Sequence, residues 1–61
     1  MPNLTEKELG QLTELLIHEE EMVKKCKHYA TLCNDPQLQT KCQQSAALHQ
    51  NHYNTLLNQL N

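Results

Sequence analysis

A chain of 61 residues with no phenylalanine or tryptophan can form one small domain with a thin aliphatic core, because a monomer of this size buries only about 60% of the surface its unfolded chain exposes. The formal net charge of -2 comes from mixed signs, and outside the cluster Lys24, Lys25 and Lys27 there is no basic face to attract nucleic-acid phosphates. No run approaches the roughly 20 apolar residues of a membrane span or the charged-then-apolar pattern of a secretory leader, so a cytoplasmic protein without a membrane partner is expected.

Thr5 followed three residues later by Glu8 is a capping-box signature, and the first helix is expected to begin there. Leu9, Leu12, Leu16, Glu19, Val23, Cys26, Ala30 and Cys33 then recur at steps of three and four, flanked on one side by Leu15, Met22 and Tyr29. Gly10 is the one propensity defect in that run. On the other face Glu20 to Lys24 and Glu21 to Lys25 have the i,i+4 spacing of solvated ion pairs. Pro36 disfavours a helical Asp35 and is itself welcome as the first residue of a new helix, which makes Asp35 an N-cap.

The second helix carries Leu38, Cys42, Ala46, His49, Tyr53, Leu56 and Leu60 along its stripe, with Ser45, Leu48 and His52 beside it. The reading is a single all-α domain over residues 1–61: helix 5–33, turn 34–35, helix 36–60. Helices this long joined by so short a turn must lie antiparallel, giving a helical hairpin. Its apolar stripe is wider than one seam can cover. Pairing of two hairpins into a four-helix bundle, as a homodimer or a higher homo-oligomer, is therefore expected. An adaptor hairpin that docks its apolar face onto another protein is the weaker alternative.

Three residues fall where core should be: Glu19 in the first stripe, His49 and His52 in the second. With the turn centred near Asp35, facing residues have numbers summing to about 71, which levels Glu19 with His52 to within about one turn. An i,i+3 pair of histidines presents both rings on one helix face, as a shared metal requires. A mixed N/O set suits iron, zinc, manganese or copper(II) rather than calcium or magnesium. Alternatively, Glu19 hydrogen-bonds one of the histidines as a polar pin that fixes the register of the bundle. His18 and His28 lie off the stripe and are expected to be exposed.

Cys26, Cys33 and Cys42 are odd in number and lack CxxC spacing, so reduced thiols that pack the seam are expected rather than a disulfide framework. A soft-metal site for copper or zinc built on them is the weaker reading. No serine, histidine and acid stand at usable spacing and no glycine-rich phosphate loop exists, so the sequence points away from an enzyme.

The turn Asp35-Pro36-Gln37-Leu38 and the run His49-Gln50-Asn51-His52-Tyr53-Asn54-Thr55-Leu56 give the chain a likeness to a known group. From Leu4 through Leu60 it resembles the small coat F-type spore-coat proteins of endospore-forming bacteria, which are grouped with ferritin-like bundles. The resemblance implies a non-enzymatic structural or assembly protein of the sporulating cell, located in the spore coat and meeting other coat proteins. By analogy it also favours metal binding. Ferritin-like di-iron proteins use a glutamate on one helix and a Glu-x-x-His pair on the next; Glu19 and His52 match that pattern, while His49 stands where the second glutamate would be. That departure removes bridging carboxylates, so oxygen-activating di-iron chemistry is not implied.

Overall fold

The computed structural model describes residues 4–60, so positions 1–3 and 61 of the expected domain lie outside the described residues. The chain forms helix α1 (Glu6–Leu32), helix α2 (Pro36–Leu57) and a final 3-10 turn over Asn58–Leu60. There are no strands among the described residues, and the two helices pack along their length as an antiparallel hairpin.

Each boundary has a local cause. The Thr5 amide donates to Glu8 Oε1 at 3.2 Å and the Glu8 amide donates to Thr5 Oγ1 at 3.1 Å, closing the capping box at the start of α1. Cys33 leaves the helix in an extended conformation, and Asp35 caps α2 by accepting from the Gln37 amide at 2.8 Å, with Pro36 in the first turn. The Gln39 side-chain amide donates to the Cys33 carbonyl at 2.6 Å and ties the two helix ends together across the turn.

The boundaries depart slightly from the expected 5–33 and 36–60. Thr5 and Cys33 are caps rather than helical residues, and the last turn tightens to 3-10 where the chain has few neighbours to hold its closing carbonyls.

Among the described residues the buried apolar set is Leu12, Val23, Cys26 and Ala46. Small side chains at Cys26 and Ala46 let the helices approach, and Cys26 Sγ donates to Ser45 Oγ across the seam at 3.4 Å. The stripe ends do not close: Leu9 and Leu38 belong to it by spacing, yet both are exposed, as is Tyr29 on its flank. Two helices share only one line of contact, so positions away from its centre have nothing above them. The molecule is a rod of 46 × 14 × 10 Å with a radius of gyration of 14.3 Å, against about 10.5 Å for a compact chain of this length.

Of the expected surface ion pairs, Glu20–Lys24 forms at 3.3 Å with both side chains exposed; the Glu21–Lys25 pair does not. Neither matters much to stability, since exposed pairs contribute little.

Gly10 offers a clean check of the helix assignment. It lies inside α1, exposed, and a Cβ built there meets nothing within 4 Å. Gly10→Ala should stabilise the hairpin by about 0.5–1 kcal/mol through the backbone entropy glycine loses in a helix, read as a rise in the urea midpoint with an unchanged slope.

Candidate metal centre

Glu19 sits at the middle of α1, on the line that faces α2, and its side chain is only 14% exposed. Across the seam His49 Nδ1 lies 2.6 Å from Glu19 Oε2, and His52 Nδ1 lies 3.5 Å from the same oxygen. His49 is 21% exposed and His52 50%, so the cluster opens toward solvent on the His52 side. The two imidazoles meet edge to face, with centroids 5.7 Å apart and planes at 89°. One ligand atom from each of the three residues lies within 4.8 Å of the other two.

The level of Glu19 with His52 agrees with the facing sum of about 71, as does the Cys26–Ser45 contact lower in the seam. The short contact, however, goes to His49, one turn nearer the hairpin bend. The ring of His49 lies on the centre line of α2 and is 21% exposed, whereas His52 lies on its flank at 50%.

With the carboxylate ionised, Nδ1–H of His49 donates to Oε2. That hydrogen bond holds the Glu19 carboxyl below its ordinary value of 4.5; partial burial opposes the shift, and the His49, His52 and His18 rings support it when charged. A carboxyl with a depressed folded pKa contributes stability above its unfolded value and loses it as pH falls through the folded one. The melting temperature should therefore drop as pH is lowered below about 4.5, and Glu19→Gln should remove this component of the acid sensitivity, leaving a flatter thermal-melt profile.

His18, set aside in the sequence as an exposed residue, is indeed exposed but lies near enough to add its charge to the Glu19 environment. Its position immediately before Glu19 is the only sequence signal for that. His28 is exposed and pairs with the Tyr29 ring at 6.3 Å between centroids. Cys26 is buried, Cys33 and Cys42 are half-buried, and all three are free thiols. They stand outside the one group of three potential ligands found among the described residues.

A shallow groove beside the cluster is lined by Leu15, Glu19, His52, Thr55 and Leu56. Thr55 and Leu56 follow His52 at helical spacing, but nothing in the sequence singled out the groove itself. The set Glu19, His49 and His52 is thus one carboxylate and two imidazoles at a half-open face, beside an apolar wall. No protein-family model matches the sequence, and no curated protein or solved structure matches the chain.

Proposed function

We propose that the chain is a non-enzymatic assembly protein whose hairpin pairs with a second copy of itself into a four-helix, ferritin-like bundle. The observation that carries this reading is the asymmetry of its two broad faces. Heptad spacing puts Leu15, Met22 and Tyr29 on one side of α1, and the antiparallel arrangement brings Leu38, Leu48 and His52 of α2 to that same side. The opposite side presents Glu20, Lys24, Lys27, Gln43 and Gln50 along its grooves, with the exposed Ile17 and Leu57 among them by the same spacing. Leu15, Tyr29, Leu38 and Leu48 are each half exposed or nearly so.

The chain exposes 4849 Å², whereas a compact monomer of its mass exposes about 4,100 Å²; the rod shape leaves surface, part of it apolar, that a second hairpin could cover. No helix among the described residues is long and apolar enough to cross a membrane.

The resemblance of Asp35-Pro36-Gln37-Leu38 and His49-x-x-His52-Tyr53 to coat F-type proteins is the support for proposing a place in the bacterial spore coat, with other coat proteins as further partners. Sedimentation equilibrium tests the assembly. The expected result is a mass of two chains, or a multiple of it, at micromolar concentration, with a melting temperature that rises with concentration. A stably folded single chain whose melting temperature is independent of concentration overturns it.

A further inference from the structure

The Glu19–His49 hydrogen bond is by itself a sufficient partner for a half-buried carboxylate, and a polar pin would need nothing more. His52 is the residue it leaves unexplained. Its Nδ1 lies 3.5 Å from the oxygen already taken by His49 and makes no hydrogen bond to it. One nitrogen from each of an i,i+3 histidine pair and one carboxylate oxygen, all within 4.8 Å of one another, leave a position between them that a cation could bridge. Zinc bonds to nitrogen and carboxylate oxygen at about 2.0–2.2 Å, so tetrahedral donors stand about 3.4 Å apart. The Glu19–His52 separation of 3.5 Å is already close to that value, and the Glu19–His49 separation of 2.6 Å is what a shared proton imposes.

We propose that Glu19, His49 and His52 bind one divalent transition-metal ion of the zinc type per chain, with a fourth coordination position open toward the Leu15, Thr55 and Leu56 side of the hairpin. The donor set selects the metal class: two imidazoles disfavour calcium and magnesium, which take oxygen ligands, while a single carboxylate and no thiolate disfavour copper(I). Three protein ligands and one open position match the ligand count of a site that holds a water or a small anion on zinc. Binding through Nδ1 moves the His49 ring proton to Nε2 and needs neutral imidazoles and an ionised carboxylate, so affinity falls toward acid pH. All three ligands come from one chain; Leu15 and His52 belong to the face proposed above to pair, so in the dimer the open position faces the partner copy.

The test is a titration of metal-stripped, untagged protein with Zn²⁺ by calorimetry and with Co²⁺ by visible absorption, with oligomeric mass measured on the same samples. The expected result is one ion per chain and a cobalt spectrum of low coordination number with nitrogen and oxygen donors, free of thiolate charge-transfer bands. His52→Ala, at a position half exposed in the single hairpin, should weaken binding by roughly a hundredfold, since even groups that only orient a metal ligand are worth about 10–100-fold, and His49→Ala or Glu19→Gln should do at least as much. No binding overturns the proposal. So does a spectrum with thiolate bands, which would move the metal to Cys26, Cys33 and Cys42, or an affinity unchanged in His52→Ala with helicity intact. A monomer that still binds one metal would remove the assembly reading and leave the site; a metal-free dimer would do the reverse.

Discussion

The double substitution Leu15→Glu, Leu48→Glu should convert the paired hairpin to single chains and take most of its cooperative stability with it. Both leucines are about half exposed and belong to the same broad face, one from each helix. In an isolated hairpin they would cost almost nothing to replace, because exposed positions of a helix tolerate glutamate well. Full burial of a leucine is worth about 1.5–3 kcal/mol, so each half-exposed leucine has roughly half of that, about 0.75–1.5 kcal/mol, still to gain in a dimer, and a two-fold interface contains each position twice. Loss of both leucines from each chain, about 3 kcal/mol or more per dimer, raises the dissociation constant more than a hundredfold. Because the single chain buries only a short seam, monomers should also melt broadly and early. The measurement is sedimentation equilibrium with a parallel thermal melt; unchanged mass and unchanged melting would show that this face is not the interface. Lys24→Glu, Lys27→Glu on the opposite face serves as the control and should leave the mass alone.

The hairpin itself was legible because its signals are local. The capping box at Thr5 and Glu8, the Asp35-Pro36 start of α2 and two stripes of period 3.6 each specify an element without reference to the rest of the chain. Register followed from the shortness of the turn, and the contacts Glu19–His52 and Cys26–Ser45 sit at the expected levels. The depth of the core was less readable. Leu9 and Leu38 have the spacing of seam residues but are exposed, because spacing fixes the face a residue lies on and not whether anything covers it. The same limit applied to the cluster. Sequence placed one carboxylate and two imidazoles at one height; which imidazole takes the carboxylate depends on side-chain reach, and His49 takes it although His52 is the level partner.

Keeping three polar groups in so thin a seam has a consequence for stability that separates a binding site from a packing device. Glu19→Leu, His49→Leu, His52→Leu together should raise the melting temperature by several degrees while abolishing metal binding, since replacing a complete polar cluster by apolar side chains of similar size is often stabilising. The single change His49→Leu should do the opposite, because it leaves the 14%-exposed Glu19 carboxylate without its hydrogen-bond partner. The sign of the shift in the triple variant separates the two roles. If the cluster exists to hold a ligand, apolar replacement removes a burden the fold carries for function, and the variant is a more stable, metal-blind dimer. If the cluster exists to fix how the helices align, its removal frees neighbouring registers, and the triple variant shows several oligomeric species and a broadened melt at no gain in midpoint. Thermal melts and sedimentation on the triple variant, set against Zn²⁺ calorimetry on the same material, decide between a site retained at the expense of stability and a pin that specifies the register.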